Sequence, residues 1–169
     1  AMGMLIFLVA AGLTLIFGLM DVLNFAHGAL FSWGAYAGFT VAVAINARWG
    51  WAASPSVWAN AGLLLLAVAA AVAVAFALGV VLERVIVRPV YGQHLFQILI
   101  TLGATIVLEE LIRVAWGPND QVMPVPATFQ GSWDVADVVV LRFPAIAIAL
   151  GLLVYGGMQW LLTRTRVGL

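Results

Sequence analysis

In the first 82 residues of this chain only Asp21 and Arg48 carry a formal charge. A soluble domain is about 25% charged, and no water-exposed surface can be built over such a stretch with two charges. Across all 169 residues 65% are hydrophobic and 8% charged, and the mean hydropathy is +1.14. A soluble fold of this size buries only about 70% of the surface its unfolded chain exposes, so the solvent for this one is lipid. Seven arginines offset seven acids and lysine is absent. A nucleic-acid partner, which needs clustered positive charge, is therefore not expected. With no cysteine, thiolate metal sites, iron–sulfur clusters and thiol nucleophiles are excluded.

Crossing about 30 Å of hydrocarbon takes some 20 apolar residues. Five stretches qualify: residues 1–20, 28–45, 59–82, 95–116 and 143–162. The first lacks the basic lead-in and cleavage site of a signal peptide and reads as a span whose native start lies elsewhere. The expected fold is all-α, a polytopic transmembrane helix bundle of about five spans. Arg84 and Arg88 lie between the third and fourth spans, and Arg164 and Arg166 follow the fifth. Both sets should face the cytoplasm, which puts 46–58 and 117–142 outside. The N-terminus is then outside too, unless the first segment is re-entrant. Trp49, Trp51 and Trp58 suit an outer interface. The 117–142 loop carries Pro118, Asn119, Asp120, Pro124, Pro126 and Gly131, and two β-prone runs flank Ala136-Asp137. A small outer β-hairpin acting as a lid is expected there. Gly34 and Gly38 form a G-x-x-x-G pair, and Ala69, Ala73 and Ala77 continue a small-residue spacing on the third span. Such faces let helix backbones approach closely.

Polar residues inside apolar sequence are the functional candidates. Asp21, Asn24 and His27 interrupt the first two spans at i, i+3, i+6. A short uncharged joint here can sit within membrane depth, where non-helical backbone survives only if buried or lining a watery cavity. Half-helix ends of this kind recur in transport sites. The structural alternative is a capped turn, with Asn24 as N-cap of the second helix and His27 bonded to a carbonyl. His27 and His94 are too far apart in sequence to suggest a metal site. On the fourth span, Glu109, Glu110 and Arg113 are spaced to neutralise one another at i,i+4 and i,i+3. They read either as an outer anchoring ion pair or as a path-lining cluster. Thr101 and Thr105 can bond back to their own helix.

The order of these motifs resembles a known family. Gly12-Leu13-Thr14-Leu15-Ile16-Phe17-Gly18, then Asn24-Phe25-Ala26-His27-Gly28 and Gly34-Ala35-Tyr36, resembles the LivH-type permease subunit of branched-chain amino-acid ABC importers. Glu83-Arg84 with Arg88-Pro89, Thr101-Leu102-Gly103 with Glu109-Glu110 and Trp116-Gly117-Pro118, and Arg164-Thr165-Arg166-Val167-Gly168 continue the match. Asp21 departs from it, standing where the family commonly has a small residue. The resemblance implies a multi-pass permease of the bacterial inner membrane that pairs with a second permease subunit and two ATPase subunits. A periplasmic substrate-binding protein would feed it, and no cofactor is implied. Related members move urea or short amides. Family chains are longer, so 1–169 is expected to be a single permease domain forming the first part of a longer fold, with the coupling loop and further spans outside it.

A transported zwitterion with an apolar tail calls for a weakly polar path, met by helix termini and backbone rather than fixed charges. Asn24, Phe25, His27, Gly28 and Thr101 are the expected path residues, with Glu109, Glu110 and Arg113 as a paired support. ATP hydrolysis is expected in partner subunits, since a Walker-type motif needs a lysine this chain lacks. Two other classes stay open from residues alone. One is a passive channel or structural membrane subunit. The other is an intramembrane hydrolase using His27 with Glu109 or Glu110, although no H-E-x-x-H or G-x-S-x-G motif is present.

Overall fold

The computed structural model describes residues 2–20, 24–135 and 138–164. It contains five long helices, α1 (Met2–Met20), α2 (His27–Trp49), α3 (Val57–Leu82), α4 (His94–Trp116) and α5 (Arg142–Arg164), with a strand pair β1 (Ser132–Val135) and β2 (Val138–Leu141) ahead of α5. Four helical stretches, His27–Trp49, Val57–Val90, His94–Trp116 and Arg142–Trp160, are long and apolar enough to cross a membrane. In α1 the apolar stretch is the shorter Ile6–Gly18. The chain divides into two compact units, Val22–Thr128 and Ala1–Asp21 with Phe129–Leu169.

In the Val22–Thr128 unit, α2 and α3 form a hairpin held at backbone distance. A Cβ on Gly38 would stand 3.0 Å from the Ala67 carbonyl oxygen, and one on Gly34 would stand 3.1 Å from that of Ala71. The G-x-x-x-G pair thus meets Ala67, Ala71 and Ala75. Ala69, Ala73 and Ala77, the stripe expected from sequence, are exposed instead. Alanine recurs every second residue from Ala67 to Ala77, so two stripes compete, and only packing chooses between them. The outer faces of α3 and α4 stay apolar, with Leu65 70%, Phe76 72% and Val114 77% exposed. Surfaces of this kind belong in lipid or against other helices.

Local chemistry sets the helix ends. Gly50 adopts φ 63° and its N–H donates to the Asn46 carbonyl at 2.8 Å, so α2 runs four residues past the apolar stretch that ended at Ile45. Ser56 caps α3, its hydroxyl accepting from the Ala59 N–H. After Leu82 the chain widens into a π-helical turn, Glu83–Val87, then tightens into a 3₁₀ turn, Arg88–Val90, that contains Pro89. Gly117, at φ 84°, closes α4 with an N–H bond to the Arg113 carbonyl at 2.9 Å. The chain beyond it folds back over the α2–α3 connection, where the Ala127 N–H donates to the Ala52 carbonyl at 2.7 Å. Met123 packs on the Ala42, Ile45, Ala52, Leu63 and Ala67 cluster. Since α3 is 26 residues long, roughly 39 Å at 1.5 Å per residue, the 117–128 segment and the Arg84–Arg88 turn lie at opposite ends of this unit.

In the other unit, Phe7 of α1 meets Tyr155 of α5 edge-on at 5.4 Å. The strands pair antiparallel, Ser132 opposite Leu141 and Val135 opposite Val138, as the β-prone runs predicted. Ala136, Asp137 and the candidate Asp21 lie outside the described residues.

Candidate functional site

The joint ahead of α2 is a tight turn. The Asn24 carboxamide oxygen accepts from the Ala26 N–H at 3.1 Å, and the Asn24 carbonyl accepts from the His27 N–H at 3.4 Å. This is the self-bonding typical of asparagine at turns. Asn24 is therefore not the N-cap: Ala26 occupies that position and offers no side-chain cap. The physical reason is register, because the Asn24 side chain is used two residues early. Ala26 is fully buried, packed with Leu82, Val87 and Ala104.

From this turn the Phe25 N–H donates to the Thr101 hydroxyl at 3.3 Å. Thr101 is itself fully buried and donates to the Gln97 carbonyl at 2.6 Å. Thr101 lies seven residues into α4, roughly 10 Å along its axis, so the turn is seated inside the length of the helix rather than beyond its end. Phe25 keeps its ring 44% exposed, while His27 is half-buried and Gly28 exposed. Among the described residues the His27 ring makes no hydrogen bond. Nothing stands within 4 Å of a Cβ built on Gly28.

The charged residues of α4 fall elsewhere. Arg113 pairs with Glu110 at 3.1 Å, with side chains 65% and 63% exposed. Glu109 is also exposed. Glu109 lies eight residues beyond Thr101, roughly 12 Å along the axis. The structure thus joins Asn24, Phe25, His27 and Thr101 into one neighbourhood and holds Glu109, Glu110 and Arg113 apart from it.

Two buried polar residues were not singled out from the sequence. Gln97 is 1% exposed and its amide donates to the Val90 carbonyl at 3.2 Å, anchoring the 3₁₀ turn. Asn60, 0% exposed, donates to the Ser54 carbonyl at 3.2 Å and to the Thr128 hydroxyl, tying the folded-back segment to α3. For Gln97 the available signal was its position four residues before Thr101, on the same helix face. Between α2 and α4, the Trp116 indole N–H donates to the Thr40 hydroxyl at 2.8 Å, and that of Trp33 donates to the Leu108 carbonyl at 3.0 Å.

Four helical stretches long and apolar enough to cross a membrane, with a polar turn bonded to one of them, define a polytopic membrane protein. The chain belongs to the branched-chain amino acid transport system permease component family, whose model matches residues 1–169. It is a multi-pass inner-membrane protein. It is 28% identical over 165 residues to the high-affinity branched-chain amino acid transport system permease protein BraD of Pseudomonas aeruginosa, covering 95% of this chain and 52% of that one. It is 29% identical over 131 residues to LivH of Escherichia coli K12, a permease of the same description, covering 76% of this chain and 39% of that one. LivH of Salmonella typhimurium is 28% identical over 134 residues. The chain thus spans about half, or less, of the length of these relatives. No solved structure matches it significantly.

Proposed function

We propose that this chain forms part of the permease subunit of an ABC importer, translocating branched-chain amino acids by alternating access. In this reading residues 1–169 are one permease domain and the first part of a longer fold. It works with a second permease subunit, two ATPase subunits and a periplasmic substrate-binding protein, and the Arg84–Arg88 turn faces the cytoplasm. ATP is hydrolysed in the partners, and no cofactor is needed here.

The observation that carries the reading is the Asn24–Ala26 turn seated against Thr101 inside α4. Non-helical backbone at membrane depth is stable only where protein or water satisfies it, and such breaks place helix ends where a solute passes. A zwitterion can meet the dipole at the start of α2 and the turn's backbone while its aliphatic tail meets apolar walls. Asn24, Phe25, His27 and Gly28 line this part of the path, and Thr101, fully buried, holds the turn from behind. Glu109, Glu110 and Arg113, exposed and farther along α4, take no part in this neighbourhood.

The test is ATP-dependent leucine uptake by the complete permease reconstituted with its partner subunits. Asn24→Ala and His27→Ala should each lower uptake while the complex still assembles. Normal transport by both variants would remove the turn from the path. Uptake indifferent to ATP would refute the ABC importer itself.

A further inference from the structure

Beside the middle of α2, a cavity of about 410 Å³ opens between this helix and the start of the folded-back segment. Ala35, Tyr36, Phe39, Asp120, Gln121 and Met123 line it. The volume falls in the usual range for small-molecule sites, which are mostly apolar with a few convergent polar groups. Its walls are fixed. The Tyr36 ring lies 5.2 Å from that of Trp116, and Trp116 is held by Thr40 and packs edge-on against Trp33 at 5.5 Å. Met123 is anchored in the apolar cluster beneath the segment. Gln121 donates to the Trp116 carbonyl at 3.1 Å and the Asn119 carbonyl at 3.2 Å, so its amide holds the loop.

Two polar groups remain uncommitted. Among the described residues neither the Asp120 carboxylate nor the Tyr36 hydroxyl has a hydrogen-bond partner. One is an anion that accepts, the other a hydroxyl that can donate, and Phe39 and Met123 add apolar lining. A carboxylate beside aromatic faces attracts a primary ammonium.

We propose that this cavity is a receiving site for an aliphatic α-amino acid, its ammonium on Asp120, its carboxylate on the Tyr36 hydroxyl and its branched tail against Phe39 and Met123. Calling the solute a transported one rests on the importer reading above; the binding chemistry does not.

The chain has no cysteine, so one can be introduced as a reporter. In the assembled transporter, Gln121→Cys is alkylated with a maleimide and labelling at that position is read by peptide mass spectrometry. Ala35→Cys is a second reporter that leaves the loop bonds intact. Leucine should protect both cysteines, 3-methylbutylamine should protect more weakly, and isovalerate, which has the same tail without an ammonium, should not. Adding Asp120→Asn should raise the leucine concentration for half-protection roughly tenfold, the worth of one charge-assisted hydrogen bond. Equal protection by isovalerate and leucine, or no change with Asp120→Asn, would overturn the assignment. Leucine uptake is measured on the same preparations. Protection without any uptake refutes the importer reading and leaves the site standing, whereas uptake without protection refutes the site alone.

Discussion

The backbone of Phe25 is held by the side chain of Thr101, 76 residues later in the chain, through an N–H to hydroxyl bond of 3.3 Å. Thr101 spends its one proton on the Gln97 carbonyl and so presents a lone pair to the turn. The helix interior thereby becomes an acceptor for a backbone group that lipid could not satisfy.

Thr101→Val keeps the shape of the side chain and deletes that acceptor. It should destabilise the protein by about 1–3 kcal/mol, the cost of an unsatisfied buried donor, whereas Thr101→Ser should stay near wild type. Thermal denaturation of the purified protein checks this, and equal melting of the Val and Ser variants would contradict it.

Gly38→Val should open the α2–α3 hairpin. Even the first added carbon meets the Ala67 carbonyl at 3.0 Å, backbone that cannot rotate away. Overpacking of this kind costs about 1–3 kcal/mol. Gly103→Ala, on a helix surface with no atom within 4 Å of the new carbon, should hold or raise the melting temperature, since Gly in a helix interior is about 0.5–1 kcal/mol worse than Ala.

Asn60→Leu removes the donor that bridges Ser54 and Thr128. The 117–128 segment should then exchange its amide hydrogens faster, most visibly at Ala127, whose N–H is bonded to the Ala52 carbonyl. Asn60→Asp should be worse, because a carboxylate cannot donate and its charge is buried. Unchanged exchange at Ala127 in both variants would show that the segment is held without Asn60.

The Tyr91 hydroxyl donates to Glu83 at 3.0 Å. Burial first, then that hydrogen bond and the Glu83 charge, raise its pKa above the ordinary phenol value, against a smaller opposing effect of Arg88. Folding thus favours the protonated phenol. The contact stabilises fully below the unfolded value of about 10 and is lost as pH rises through the higher folded value. Tyrosinate absorbance of wild type minus Tyr91→Phe should rise only above pH 10, and stability near neutral pH should not depend on this group. A difference midpoint below 10 would contradict the contact.

Hydropathy located all five helices because length and apolarity are what a bilayer selects. It ended the second span at Ile45, where polar residues begin, although the helix turns off only at Gly50, where the backbone goes left-handed. The N-F-A-H-G phrase marked the turn ahead of α2. Its attachment to Thr101 is a contact between distant segments, which no local pattern encodes. Likewise Glu109 at i,i+4 and Glu110 at i,i+3 were both candidates for Arg113, and only side-chain geometry selected Glu110. Gln97 and Asn60 went unnoticed because each is a single amide in apolar sequence, and whether such a group faces lipid or protein depends on helix rotation.

The contact of Gly34 and Gly38 with the carbonyls of Ala71 and Ala67 has a mechanical consequence. Sliding α2 along α3 by one residue would drive side chains of the flanking residues into those carbonyls, so the hairpin resists shear and behaves as a stiff strut. The chain enters and leaves this strut through the Asn24–Ala26 turn and the widened helical turn at Glu83–Val87. Both lie at the same end of the unit, as the burial of Ala26 against Leu82 and Val87 requires, while the 117–128 segment clamps the other end through Ala52 and Asn60, so the strut is gripped at both extremities.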